Sequence, residues 1–244
     1  MIYKVKRKVT GSMVDTKANL SLLGLCDVIV DTMSEMLGLL KLDGLYALKN
    51  YNAMWVISKN KIRIFDDAKW NEKLEVESFI SSTTLARITI DTVIKKLDKI
   101  IAYSRIESCA IDLQSRRIRK TNTMGIDENI VIENPYNFNQ FLETKDKSND
   151  LNLEFTQKAL YTNIDYLHHT NNLEYIRVLL NSFTVKEIET KPIKQIEINY
   201  KNQSFENDLL EVYKNVSENI CFYEIKANNK NNVKETKVNG KIFF

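Results

Sequence analysis

The sequence has 244 residues, 43% hydrophobic and 27% charged, a composition typical of a globular protein with room for one large domain or two small ones. Its 35 basic and 32 acidic side chains give a net charge of +3, which is too balanced to indicate nucleic-acid binding. No apolar run approaches the roughly 20 residues of a membrane span and residues 1–13 show no secretory signal, so we expect neither nucleic acid nor membrane as a partner.

The cysteines are odd in number, widely separated and set in apolar patterns. They are Cys26, Cys109 and Cys221. This arrangement predicts buried free thiols and argues against a disulfide or zinc framework. We therefore expect a protein of the reducing cytoplasm.

The first strong signal along the chain is an amphipathic helix. Its apolar side chains recur at helical spacing, at Leu22, Cys26, Ile29, Val30, Met33, Met36, Leu37 and Leu40. Asn19 is the predicted helix cap. The stripe favours plain core over a cofactor site, and the end of such a stripe can also line an acyl tunnel.

Strand patterns follow the helix. They are rich in β-branched and aromatic residues and cover 53–65, 73–81, 86–94 and 99–113. The polar link "KKLDK" between the last two predicts a hairpin turn. One helix followed by an antiparallel sheet indicates an α+β unit.

The composition changes between residues 127 and 150. This segment carries one of the two prolines, many Asn and Asp residues and little periodicity, which predicts a linker that runs over the surface. We therefore predict an N-terminal unit over 1–126, a linker over 127–150 and a C-terminal unit over 151–244.

The second unit repeats the order of the first. A shorter helix pattern covers 172–183, and strand patterns cover 193–200, 208–216, 219–227 and 233–244. "LEVE" at 74–77 recurs as "LEVY" at 210–213, each followed by a strand, a polar turn and a final strand. This repetition indicates a duplication. The predicted fold is α+β, with two tandem hotdog units, each a helix wrapped by a curved antiparallel β-sheet.

Four stretches in this order resemble the acyl-acyl-carrier-protein (acyl-ACP) thioesterases of plants and bacteria, over nearly the whole chain. They are "MWVISKNKIRI", "AYSRIESCAIDLQSRRIRK", "NIDYLHHTNNLEYIRVLLN" and "IEINYKNQS". The resemblance implies a hydrolase that releases free fatty acid from acyl-ACP in fatty acid biosynthesis. It also implies an acyl-chain pocket in the N-terminal unit, catalysis in the C-terminal unit, and a carrier protein with a phosphopantetheine-linked acyl chain as the partner.

The resemblance assigns site residues one by one. The family's aspartate, histidine and asparagine pair fall on Asp165, His169, Asn171 and Asn172. Three positions depart from the family pattern: Leu167 stands in place of an asparagine, Gln203 in place of a glutamate, and Ser204 in place of a cysteine. Asp165, His169 and Gln203 are thus the candidate catalytic residues, and Asn171 and Asn172 are candidates for substrate binding.

Thioester hydrolysis needs an activated water and a place for negative charge on the carbonyl oxygen. Asp165 would orient or activate the water, directly or through Gln203, and an amide at the start of the following helix would hold the oxyanion. His169 would polarise the thioester or protonate the leaving thiolate. An amide cannot take a proton from water, so with Gln203 in place of the family's glutamate the site has one candidate base fewer.

These departures leave alternatives open. One is slow hydrolysis with Asp165 as the only carboxylate, and another is a changed arrangement in which a different group fills in. A third alternative is that the chain hydrolyses coenzyme A thioesters, and a fourth is that it binds acyl thioesters without cleaving them. Near two histidines, an aspartate such as Asp165 can also simply close a hydrogen-bonded turn, with Asn171 or Asn172 as the helix cap.

Three further predictions concern ligands and partners. The basic run "SRRIRK" at 115–120 is either a solvated strand end or a docking surface for an acidic carrier protein, a role that rests on the resemblance. His168 is predicted at the surface. Because adjacent histidines cannot easily face one ion, we predict no metal site and no cofactor. The chain is expected as a monomer or homodimer.

Overall fold

The structure, a computed structural model, describes residues 1–136, 141 and 150–244. The chain divides into two compact units, Met1–Gln140 and Phe141–Phe244. The division falls inside the predicted linker 127–150, half of which, at 137–140 and 142–149, lies outside the described residues. None of the helices in the described part of the chain combines the length and hydropathy of a membrane span.

The first unit contains two helices and a five-stranded antiparallel sheet. Its elements are β1 (Tyr3–Lys8), α1 (Leu22–Leu39), α2 (Gly44–Tyr51), β2 (Ala53–Ile64), β3 (Lys73–Thr83), β4 (Ile88–Lys96) and β5 (Lys99–Asp112). Neighbouring strands follow the order β1-β3-β4-β5-β2. The four predicted strands and the hairpin between β4 and β5 are confirmed, whereas β1 and α2 were missed.

Helix α1 packs against β1, β3 and β4 with its apolar stripe. Met36 is fully buried, and Met33 and Leu37 are 7% exposed. The predicted cap was wrong: the helix begins after Ser21, whose Oγ accepts a hydrogen bond from the Gly24 N–H at 3.0 Å. A serine hydroxyl satisfies one of the free N–H groups of the first helical turn.

The second unit repeats this architecture. Its elements are β6 (Asn152–Lys158), α3 (Asn172–Leu180), α4 (Val185–Thr190), β7 (Gln195–Tyr200), β8 (Leu209–Ser217), β9 (Ile220–Asn228) and β10 (Lys234–Phe243). Its strand order, β6-β8-β9-β10-β7, is the order of the first unit, strand for strand. The α+β class and the duplication are therefore confirmed, while β6 and α4 were missed.

All three cysteines are buried and free, as predicted. Burial raises the pKa of the Cys26 thiol and raises that of Cys221 to about 12. Both thiols thus stay protonated at neutral pH, and they behave as small apolar core residues.

The face of the first sheet that carries Asp91 holds buried ion pairs. The Arg105 guanidinium donates two hydrogen bonds, each 2.7 Å long, to the carboxylate of Asp91, which is 0% exposed. Residues at the start of the predicted linker cover this face: the Ile132 N–H bonds to the Ile80 carbonyl at 2.9 Å, and the Asn134 amide donates to Asp91. Such a bidentate pair is stabilising only while both partners are present.

Glu77 supplies a pH-dependent contribution to the stability of this unit. Burial alone would raise its pKa, but hydrogen bonds from Lys4, Lys95 and Tyr136 outweigh burial and lower the pKa to about 2. A carboxyl whose folded pKa lies below its unfolded pKa stabilises the fold above the unfolded pKa, near 4.3, and loses this contribution as the pH falls towards 2.

We therefore expect Glu77→Gln to lower the unfolding free energy by roughly 3 kcal/mol at pH 7 and by progressively less between pH 5 and pH 2. Urea unfolding followed by tryptophan fluorescence measures this, since Trp55 and Trp70 both belong to the first unit. Glu75→Gln, which removes the same charge from the same strand, is the control. A difference between Glu77→Gln and the wild type that stays constant with pH would contradict the expectation.

Candidate active site

The segment 163–172 forms a closed turn organised by the Asp165 carboxylate. Its Oδ1 accepts hydrogen bonds from the backbone N–H groups of Leu167 at 2.9 Å and His169 at 3.2 Å. The Asp165 N–H in turn bonds to the His169 carbonyl at 2.8 Å. Oδ2 accepts no hydrogen bond from a described residue. One carboxylate oxygen therefore builds the turn, and the other is available for chemistry.

The two histidines differ in their surroundings. His168 has a left-handed backbone with φ of 62° and an exposed side chain, as predicted for a surface residue. His169 is half-buried, and its ring meets the Phe205 ring edge-on with 5.3 Å between centroids. Of the two imidazoles, that of His169 is thus the one held in place.

The turn leads directly into helix α3. The Asn171 Oδ1 accepts the Leu173 N–H at 2.9 Å, so Asn171 is the helix cap, one of the two roles open for it. The Asn171 carbonyl accepts the Glu174 N–H at 2.9 Å. Among the described residues, the Asn172 N–H has no acceptor, which makes it the amide at the helix start that a ligand oxygen can reach.

A buried hydroxyl cluster holds the loop after β7 against this turn. The Ser204 Oγ lies 2.7 Å from both the Tyr175 hydroxyl and the Thr170 Oγ1, and the Thr170 N–H bonds to the Ser204 carbonyl at 2.9 Å. Ser204 is 0% exposed, and burial raises the pKa of the Tyr175 phenol. In the sequence, Ser204 was only a departure from a family pattern, and nothing there indicated this structural role.

Gln203 lies next to Ser204, with an exposed side chain that makes no hydrogen bond among the described residues. Its backbone carbonyl accepts a hydrogen bond from the Lys237 Nζ at 2.8 Å. Lys237 is 2% exposed, and sequence reasoning missed it because lysine is rarely buried.

The first unit contains the same turn with different side chains. Asp15 Oδ1 accepts the N–H groups of Lys17 at 2.9 Å and Asn19 at 3.0 Å, and the Leu20 N–H bonds to the Ala68 carbonyl at 2.6 Å. Asp15, Asn19 and Asp67 thus correspond to Asp165, His169 and Gln203.

In the first-unit turn, the Asn19 Nδ2 lies 3.5 Å from the Asp67 Oδ2. Because the backbone contacts repeat, the positions of His169 and Gln203 are neighbours in the second unit. Asp165 lies in the same turn as His169, and Gln203 reaches this turn from the loop after β7, so one carboxylate, one imidazole and one amide share a small region. A carboxylate and an imidazole can carry out general acid–base chemistry there, whereas the amide can only orient.

The remaining sequence candidate, the basic run 115–120, belongs to the first unit. In the basic run 115–120, Arg119 donates to the Tyr51 carbonyl and pairs with Asp112 at 3.6 Å. Arg116, Arg117 and Lys120 are exposed. Among the described residues, no group of three or more His, Cys, Asp and Glu side chains is arranged to hold a metal ion.

Comparison with known proteins gives concordant matches. The family model of the acyl-ACP thioesterase N-terminal domain matches residues 1–129, and that of the acyl-ACP thioesterase C-terminal domain matches residues 144–241. The chain is 20% identical over 177 residues to a protein of Coriandrum sativum described as oleoyl-acyl carrier protein thioesterase, chloroplastic. The matched region covers 67% of this chain and 47% of the relative. The chain spans about half the length of the curated relatives it matches.

Solved structures with the same fold cover nearly the whole chain. An acyl-ACP thioesterase from Bacteroides thetaiotaomicron has a TM-score of 0.87 at 22% identity and covers 100% of this chain and 97% of its own. The 12:0-ACP thioesterase from Umbellularia californica has a TM-score of 0.85 at 14% identity, covering 99% and 96%. At these identities, the likeness shows the shared fold.

Proposed function

Because this chain belongs to the acyl-ACP thioesterase family, we propose that it hydrolyses the thioester of an acyl-acyl-carrier protein and releases a free fatty acid in fatty acid biosynthesis. The observation that carries the proposal is the match of both family domains, over 1–129 and 144–241, together with a turn in which Asp165 keeps one carboxylate oxygen available. The free cysteines support a reducing, cytoplasmic location.

In the proposed mechanism, the Asp165 Oδ2 takes a proton from water as the water oxygen bonds to the thioester carbonyl carbon. The Asn172 N–H stabilises the negative charge on the carbonyl oxygen. The carbon–sulfur bond then breaks, and His169 donates a proton to the leaving sulfur. The proton on Asp165 passes to His169 and restores both groups, leaving a carboxylic acid and a thiol. Gln203 orients the water through its side-chain amide.

The partner under this proposal is an acyl carrier protein, with the exposed Arg116, Arg117 and Lys120 as its docking surface. Carrier proteins of this kind are acidic, and complementary charge speeds association and selects partners. The acyl chain would lie in the first unit, beside the end of α1 that carries Met33 and Met36. A second candidate keeps the fold and uses coenzyme A thioesters.

Thiol release from one acyl group on each carrier tests the proposal. We expect kcat/KM for the acyl carrier protein thioester to exceed that for the coenzyme A thioester at least about tenfold, because only the protein carrier can use the basic surface. The triple variant Arg116→Ala, Arg117→Ala, Lys120→Ala should remove most of this difference. Equal rates on both carriers would overturn the carrier assignment, and no release from either would overturn hydrolysis.

A further inference from the structure

Lys237 is a buried cation beside the candidate active site. It is 2% exposed, and its Nζ donates to the Gln203 carbonyl at 2.8 Å and to the Glu235 Oε1 at 2.7 Å. Its own carbonyl accepts the N–H groups of Lys201 at 2.8 Å and Asn202 at 3.2 Å. An ammonium has three donors, so one N–H of Lys237 is left for a ligand.

The first unit shows that the fold itself does not require a lysine at this position. There, the Ile101 carbonyl accepts the N–H groups of Phe65 at 2.8 Å and Asp66 at 3.2 Å, the same pair of contacts that Lys237 makes. Ile101 is 1% exposed. Removing an ammonium from water is costly, and an isoleucine satisfies the same backbone. The presence of a lysine at this position therefore indicates a function for its ammonium group in the surroundings that this group contacts.

Lys237 lines a cavity of about 290 Å³ within the second unit. The walls come from the loop 202–208, the end of β9 with the turn that follows it at 228–230, and β10 at 235 and 237. Phe205 lines this cavity and also contacts the His169 ring, with 5.3 Å between the ring centroids. The cavity thus opens beside the place where the thioester sulfur would lie. Its volume is close to the lower end for ligand pockets, about 300 Å³.

The charges that line the cavity balance. Lys237 is paired with Glu235, Lys230 lies 5.6 Å from the Phe205 ring centroid, and Asp208 accepts the Phe205 N–H at 2.8 Å. Two cations against two carboxylates favour a neutral ligand over a phosphate or a fatty acid carboxylate.

Side-chain amides supply the remaining polar groups of the wall, at Asn202, Gln203, Asn228 and Asn229, and the Asn229 amide already makes hydrogen bonds within the protein through both its nitrogen and its oxygen. The amide nitrogens of Asn202 and Asn228 are used within the protein, at 2.9 Å each, and their oxygens accept nothing from described residues. The wall thus offers the Lys237 ammonium and the Gln203 amide as donors, and the side-chain oxygens of Asn202 and Asn228 as acceptors. This combination matches a ligand that itself contains amides.

We propose that this cavity binds the pantetheine arm of the acyl thioester, with Lys237 donating to an arm carbonyl. The inference rests on the proposed function, because the arm is the part of the substrate that begins at the thioester sulfur and leads away from the acyl chain. The arm is neutral up to its phosphate and carries amide and hydroxyl groups. The cavity therefore recognises a part of the substrate that acyl-ACP and acyl-CoA share.

A binding experiment tests this without turnover. The probes are S-decyl-pantetheine, a thioether that cannot be hydrolysed, and S-decyl-thioethanol, which lacks the arm. By titration calorimetry, we expect the wild type to bind the pantetheine probe at least about tenfold more tightly than the armless probe. Lys237→Ile, which installs the residue of the first unit, should abolish this ratio, and Lys226→Ile, which removes a lysine from β9 outside the cavity, should preserve it.

A second variant guards against loss of fold in Lys237→Ile. Asn228 is exposed at the cavity rim, so Asn228→Trp fills the opening without disturbing the core, and it should also abolish the ratio. Equal affinity of the wild type for both probes, or a ratio that survives both variants, would overturn the arm site. Absence of thiol release from any thioester, with arm-dependent binding intact, would instead overturn hydrolysis alone.

Discussion

Asp165→Asn is expected to lower kcat/KM for thiol release from acyl-ACP about 1000-fold while the protein stays folded. Asparagine keeps a side-chain oxygen, so it can still accept the N–H groups of Leu167 and His169 that close the turn. It cannot take a proton from water. Alanine would remove both properties at once, and the asparagine variant therefore separates catalysis from folding. The measurement is continuous thiol detection over a range of acyl chain lengths.

The first unit provides the matched control. Asp15 accepts the same two kinds of backbone N–H, from Lys17 and Asn19, in a turn without a histidine. Asp15→Asn is thus expected to leave the rate within about twofold of the wild type. In the same assay, Gln203→Glu restores a second carboxylate and should raise the rate. Activity of Asp165→Asn within about threefold of the wild type would reduce Asp165 to a turn-forming residue.

The strands and helices that the sequence predicted are those with a strong apolar period. The missed strands β1 and β6 lie at the outer ends of the strand order in their units. β1 reads "YKVKRK", and its alternate lysines are exposed. Charged side chains on an edge strand prevent pairing with other chains, and they also hide the strand from a pattern based on apolar residues.

Only those residues of the candidate site could be predicted whose side chains are typical of catalytic residues. Asp165 and His169 stand in a recognisable order, whereas Ser204 and Lys237 act through backbone and buried contacts that depend on the fold. A buried lysine contradicts the usual preference of that residue, so nothing local to "KETKVNG" places its ammonium under the loop at Gln203. Only the comparison with Ile101, at the equivalent position of the first unit, shows that the fold does not require a lysine where Lys237 lies.

Gly240 illustrates the same point for stability. "NG" is a frequent hairpin-turn pair, yet Asn239 and Gly240 lie inside β10, paired on one side with β7 and on the other with β9. A Cβ at Gly240 would lie 1.8 Å from the Glu197 carbonyl oxygen and 2.6 Å from the Tyr223 hydroxyl, which itself donates to that oxygen at 3.0 Å. The absent side chain thus makes room for a buried hydrogen bond.

Gly240→Ala should therefore destabilise the second unit by about 4 kcal/mol, since backbone rather than a flexible side chain must move and the Tyr223 bond is lost. Amide hydrogen exchange in β7, β9 and β10 measures this, because both tryptophans lie in the first unit. Gly38→Ala is the opposite case: its added Cβ meets nothing within 4 Å in helix α1, so it should stabilise the first unit by about 1 kcal/mol. Unchanged exchange protection in Gly240→Ala would show that β10 can shift away from Glu197, and the close approach would then not constrain this position.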